Sequence, residues 1–173
     1  MAGVAAARES GAGKIFLIGL DRDRNRLEMG RRFGCDEIIV AEKHDTVALI
    51  SEATNGRMAN VVMDASGHPS RAELALMLTG RRGTLVLPGL YGCRKVPLDL
   101  DIAVTREIKI TGVFSHDSKG VGPAVKMAGS GRYPFEELIS HRFPLHEAEQ
   151  ALRLVAGETG GEMPLKVVLD FSS

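Results

Sequence analysis

Short apolar runs alternate along this chain with stretches in which apolar residues recur at helical spacing. The run 14–20 (KIFLIGL) is almost continuously apolar, the pattern of a strand buried on both faces. Runs at 37–40 (EIIV), 60–64 (NVVMD), 84–88 (TLVLP), 108–114 (IKITGVF) and 165–171 (LKVVLDF) predict further strands. Between them lie helices. Residues 2–10 are rich in alanine and closed by Gly11 and Gly13, and 24–33 stop at Gly34. The helix at 45–54 has Asp45 as N-cap and Asn55-Gly56 as its stop, and the helix at 69–79 carries Pro69 near its first turn. A short helix over 98–105, one over about 120–130 that starts at Gly120 or Val121, and a last one over 146–156 complete the series.

Strands alternating with amphipathic helices predict an α/β fold, a parallel sheet with helices on both faces and right-handed, doubly wound crossovers. In such sheets ligands bind beyond the carboxyl ends of the strands. The residues at those ends are Asp21, Ala65-Ser66-Gly67, Pro88-Gly89-Leu90 and Val113-Phe114-Ser115.

Composition narrows the picture. Lys plus Arg and Asp plus Glu are 22 each, so the chain has no net charge. That argues against a nucleic-acid binder and against a polybasic membrane anchor. No stretch approaches the roughly 18 consecutive apolar residues of a spanning helix, and a charged fraction of 25% is that of globular proteins. Cys35 and Cys93 are too few for a disulfide framework or a zinc finger and read as reduced thiols. The N-terminal MAGVAAARES has neither the basic start nor the apolar core of a signal peptide, so a cytoplasmic location is expected.

Candidate chemistry is concentrated at Asp21. A carboxylate just past a strand end can accept both hydroxyls of an adenosine ribose, and its charge repels a 2′-phosphate, which favours NAD over NADP. Arg22 and Arg24 pull the other way, because arginine accepts that phosphate. The glycine fingerprint expected beside such an acid is absent: 11–16 read GAGKIF, without a third glycine and ahead of a strand. Other motifs fail on spacing. HEAEQ at 146–150 has Gln150 where a metalloprotease needs its second histidine, and Tyr133 is followed by Glu137 where a short-chain reductase needs lysine. Ser115-His116-Asp117 are consecutive, so their side chains are expected to diverge. The five histidines lack ligand spacing.

The stretches AAARESGAGKIFLIGLDRDRNRLEMGRRFGCDEII, ANVVMDASGHPSRAELALMLTGRRGTLVLPGLYG and VPLDLDIAVTREIKITGVF, with the tail YPFEELISHRFPLHEAEQALRLVAG and LKVVLDF, resemble the cofactor-binding half of the medium-chain, zinc-type alcohol dehydrogenase family. The resemblance extends over essentially all 173 residues. It implies a Rossmann-like sheet, a nicotinamide dinucleotide (NAD rather than NADP) and an alcohol or polyol substrate. It places Asp21, with Arg22 beside it, at the adenine ribose, and Ala65, Ser66 and Gly67 along the adenosine. Gly89, Leu90, Val113 and Phe114 line the nicotinamide, and Lys166 approaches the pyrophosphate. Family members carry, ahead of the matched region, a strand ending in GxGxxG and a GroES-like domain with the zinc ligands. The resemblance therefore implies a sheet lacking its first strand, with zinc expected only in the missing N-terminal half. Asp21 falls about 20 residues beyond those glycines, as a ribose acid should.

Further expectations follow. Residues 1–136 would form the truncated dinucleotide-binding domain, and 137–173 a segment that returns to the catalytic domain. In strand order 3-2-1-4-5-6 the first strand is central, so without it the strands at 14–20 and 60–64 would each expose an unpaired edge. Dinucleotide affinity of the isolated chain is then expected to be weak or nil, and the chain inactive alone. Two alternatives stay open: a binding-only module completed by a separate chain, and a zinc-free quinone reductase or another Rossmann-like protein such as a methyltransferase. The edge strand 108–114 is the expected surface for a homo-oligomer.

Overall fold

A computed structural model describes residues 1–116, 118–160 and 163–171. In chain order the elements begin with α1 (Ala2–Glu9), β1 (Phe16–Gly19), α2 (Arg24–Arg32), β2 (Glu37–Val40), α3 (Thr46–Ala53) and β3 (Ala59–Met63). They continue with α4 (Pro69–Leu78), β4 (Thr79–Leu87), α5 (Leu100–Thr105), β5 (Lys109–Gly112) and α6 (Ser118–Ala128). After a 3-10 turn at Phe135–Leu138 come β6 (His141–Pro144), α7 (Ala148–Ala156) and β7 (Val167–Asp170). All strand pairs are parallel, in the orders β1-β2, β3-β4-β5 and β6-β7.

Two compact units make up the chain, Met1–Lys43 with Ser118–Ser173, and His44–Asp117. In the first unit Phe33, at the end of α2, is fully buried with Val4, Ala5, Ile15 and Cys35. Burial of a phenylalanine contributes about 1.5–3 kcal/mol. Tyr133 stacks on Phe33 at 5.9 Å and Phe135 meets it edge-on at 5.1 Å, which ties the Phe135–Leu138 turn to α1 and α2. Arg8 of α1 donates to the carbonyls of Ala12 and Gly34 and to Asp36, while Asp36 also accepts the Ile15 N–H at 2.6 Å. One guanidinium thus satisfies carbonyls that the turns after α1 and α2 would leave unpaired.

In the second unit α4 covers the three-stranded sheet. Its Ala72, Ala75, Leu76 and Leu78 are buried, and Leu76 and Leu85 of β4 are sealed from solvent. Asp45 caps α3 as expected, accepting the Ala48 N–H at 3.0 Å, and Pro69 stands at the start of α4.

Several expectations are corrected. Strand 14–20 shortens to β1 because the Ile15 carbonyl accepts from Asp36 and Glu37 at a turn. The residues of β1 are half-buried rather than enclosed. β4 starts at Thr79, well before 84: Thr79 pairs with Ala59, and the register shifts before Val61 meets Thr84. This is a bulge, with Arg82 at φ 55° and with Gly80 where a Cβ would lie 2.3 Å from the Arg57 carbonyl oxygen. The helix expected from Gly120 or Val121 begins at Ser118. β6 was not predicted, since HRFP shows no apolar alternation.

Among the described residues β1 has one strand neighbour, β2, and β3 has one, β4. Val61 and Met63, in the apolar run of β3, are 63% and 52% exposed. β1 and β3 therefore each present, among the described residues, one edge without a strand partner.

Candidate functional site

In the first unit, β1 ends at Gly19 and the chain turns through a 3-10 segment, Asp21–Asp23, into α2. Asp21 is fixed at both ends by the loop that follows β2. Its N–H donates to Glu42 Oε2 at 2.6 Å, and its Oδ1 accepts from Lys43 Nζ at 2.7 Å. Arg24 adds a longer ion pair at 3.9 Å. The hydrogen bond from Lys43 holds the Asp21 carboxyl below its ordinary range, with the charges of Lys43 and Arg24 in support, so it is ionised at neutral pH. An open groove of about 430 Å³ runs past Asp21, Arg22, Asp23, Arg24, Arg26 and Lys43. Arg26 is engaged with Asp23 and with the Pro164 carbonyl.

In the second unit the parallel strands β3, β4 and β5 bring their carboxyl ends to one side. Asp64, which follows β3, is only 7% exposed. Its Oδ1 accepts the Ser66 N–H at 2.9 Å and its Oδ2 accepts the Tyr91 hydroxyl at 2.7 Å. Burial, with the hydrogen bond to Asp64, pushes the Tyr91 phenol well above its ordinary range. One carboxylate therefore ties the loop after β3 to the loop after β4. The loops meet backbone to backbone: a Cβ on Gly67 would lie 2.4 Å from the Leu90 carbonyl oxygen, and one on Gly89 would lie 2.8 Å from the Gly67 nitrogen. Gly67 also has φ 63°, which side chains disfavour. Arg94 closes the assembly, donating to the carbonyls of Tyr91 and Gly67.

The sequence-derived candidates thus fall into two groups. Asp21 and Arg22 share the groove of the first unit. Ala65, Ser66, Gly67, Gly89 and Leu90 form the joined loops of the second, and the Val113 N–H bonds the Leu87 carbonyl beside them at 3.1 Å. Phe114 is 83% exposed. Lys166 stands exposed ahead of β7, its carbonyl accepting from Ser140 and His141, and it is not among the residues lining the groove. Of Ser115-His116-Asp117, expected to diverge, the first two do not: Ser115 Oγ and His116 Nδ1 approach to 3.3 Å on the surface, with Ser115 at φ 61°. Asp117 lies outside the described residues. Sequence reasoning missed Lys43, Asp64 and Tyr91. Asp64-Ala65-Ser66 was findable as a side-chain-to-backbone turn of the Asp-x-Ser type; Lys43 carried no local signal.

Zinc does not fit the residues present. Among the described residues no three of His, Cys, Asp and Glu gather to hold a metal ion. The first unit offers an ionised acid just beyond β1, and in the second the glycines at 67 and 89 let the two loops meet backbone to backbone. No helix among the described residues is long and apolar enough to cross a membrane.

Comparison with known proteins bears on the same residues. The family model for zinc-binding dehydrogenases matches residues 1–128. A probable alcohol dehydrogenase of Mycobacterium tuberculosis is 34% identical over 169 residues, covering 95% of this chain and 46% of the relative. A sorbitol dehydrogenase of Bombyx mori is 29% identical over 165 residues, covering 94% and 46%. The crystal structure of an alcohol dehydrogenase from Thermotoga maritima superposes with a TM-score of 0.83 at 27% identity, over 96% of this chain and 46% of that one. The chain spans about half the length of the curated relatives it matches. With the strand order and the acid beyond β1, these matches establish that the chain belongs to the medium-chain zinc-binding dehydrogenase family, of which it is the C-terminal, Rossmann-like half.

Proposed function

We propose that this chain is the cofactor-binding part of a dehydrogenase that moves hydride between an alcohol or polyol and a nicotinamide dinucleotide. The observation that carries the reading is the ionised Asp21 carboxylate, anchored by Glu42 and Lys43 at the carboxyl end of β1 and open to a groove. Asp21 accepts the ribose hydroxyls of the adenosine, with Arg22 beside it. Ala65, Ser66 and Gly67 run along the adenosine. Gly89 and Leu90, with Val113 and Phe114, offer backbone groups and apolar surface to the nicotinamide end, and Lys166 reaches toward the pyrophosphate. The Asp64–Tyr91 bond positions the loops and touches no substrate. When bound, the dinucleotide supplies the ring that accepts or returns the hydride.

In the same reading residues 1–136 serve the cofactor and 137–173 meet the substrate-binding half, a role supported by the exposed Leu145, Leu152, Val155 and Phe171. The edge of β5 joins two copies.

Titrating the protein purified from its source with NADH, followed by the coenzyme's fluorescence, tests the reading. Saturable binding is expected, weak if these residues stand alone, and weakened about 10–100-fold further by Asp21→Ala through loss of charge-assisted bonds to the ribose. Absence of saturable binding, or equal affinity in the variant, overturns it.

A further inference from the structure

We infer that Lys43 makes the adenosine end of the groove accept a 2′-phosphate, so that the protein takes the phosphorylated dinucleotide (NADP) as well as the plain one (NAD). The inference rests on the dinucleotide reading and goes beyond it, because an acid in the position of Asp21 by itself argues for NAD alone.

Geometry comes first. Lys43 Nζ lies 2.7 Å from Asp21 Oδ1. A ribose hydroxyl donating to that same oxygen stands about 2.7 Å from it, hence no more than about 5.4 Å from the ammonium. Esterified with phosphate, the 2′-oxygen has no proton to donate to Asp21, and Lys43, nearer to that carboxylate than Arg24 is, is the cation placed to take the phosphate oxygens instead.

Charge comes second. Four cationic side chains, Arg22, Arg24, Arg26 and Lys43, line the groove against two carboxylates, Asp21 and Asp23. Arg22 makes no ion pair among the described residues. Glu42 is held at the backbone, its Oε2 accepting the Asp21 N–H. The repulsion that Asp21 would exert on a phosphate is therefore compensated where it arises. Both partners of the Lys43–Asp21 pair are half-exposed, 47% each, so the pair is weak and easily rearranged. A phosphate near double negative charge competes well for the ammonium against a single carboxylate.

Calorimetric titration of the protein purified from its source with 2′,5′-ADP and 5′-AMP, the adenosine ends of the two cofactors, decides it. The two dissociation constants are expected within about tenfold of each other. Lys43→Met should weaken 2′,5′-ADP about tenfold, while 5′-AMP affinity rises because Asp21 is released. Asp21→Asn should weaken 5′-AMP and spare 2′,5′-ADP. Binding of 5′-AMP about a hundredfold tighter than 2′,5′-ADP, or equal weakening of both by Lys43→Met, overturns the role of Lys43 and leaves the dinucleotide reading standing. Failure of both ligands to bind overturns the two together. Circular dichroism confirms that each surface variant is folded.

Discussion

At the residue scale, the loops after β3 and β4 depend on two features that mutation can separate. Gly67 is where the backbones touch, and alanine there would set its Cβ 2.4 Å from the Leu90 carbonyl oxygen at φ 63°. Gly67→Ala is expected to cost about 1–3 kcal/mol, a fall in Tm of about 2–12 °C for a chain of this size, read by thermal denaturation. Tyr91 is the second feature. Tyr91→Phe leaves Oδ2 of the buried Asp64 without its donor, at a cost of about 1–3 kcal/mol near neutral pH. The pH dependence has a definite sign. Burial and the bond to Asp64 raise the folded pKa of Tyr91 above that of the unfolded chain. Its contribution is therefore whole below about pH 10 and is lost as pH climbs toward the raised value. Stability of the wild type should decline in that window, and Tyr91→Phe should flatten the decline. Tyr133, the other tyrosine, is also raised by its bond to Glu9, so the difference in phenolate absorbance between wild type and Tyr91→Phe is what isolates Tyr91. An alkaline slope that is the same with and without Tyr91 would count against this account.

At the element scale, Arg8 joins the ends of two helices to a strand. Arg8→Met removes its bonds to Ala12, Gly34 and Asp36 and is expected to destabilise by about 1–2 kcal/mol, measured by urea unfolding. Burial raises the Asp36 carboxyl, but the Ile15 N–H and Arg8 bring it below its ordinary range overall. That contribution is present above the usual carboxylate pKa and lost as pH falls, so the variant should also lose part of the acid limb; an unchanged acid limb would place the effect elsewhere. Elements of this kind were legible where one local signal decided them. EIIV became β2 residue for residue, and Asp45 capped α3 as read. The start of β4 was not legible, because GRRG reads as a turn and only pairing with Ala59 extends it. β6 forms because β7 lies beside it, which its own residues do not announce. The site divides the same way. Asp21 could be found from its place after an apolar run, whereas Lys43 reaches it across 22 positions and is legible only in the fold.

At the scale of the whole molecule, the edge of β5 is the feature that a single copy leaves unused. β5 has β4 on one side and, among the described residues, no strand on the other. Leu100 and Val104 of α5 and Ile110 of β5 are exposed large apolar residues in the same unit, and an open edge with apolar neighbours is a template for pairing. Lys109 does not block it: two copies related by a two-fold axis run antiparallel, so a lysine near one end of the strand need not meet its own copy. Light scattering of the protein purified from its source is expected to give at least twice the protomer mass. Ile110→Glu places a charge on that strand and should lower the mass, with the circular dichroism spectrum unchanged. A wild type that scatters as a single copy, or an assembly indifferent to the glutamate, would mean that β5 is not the joining edge. If the charged variant still binds NADH with wild-type affinity, then pairing and cofactor recognition are separable. That is expected because Ile110 is not among the residues proposed to touch the dinucleotide, although Val113 and Phe114, which follow β5, are.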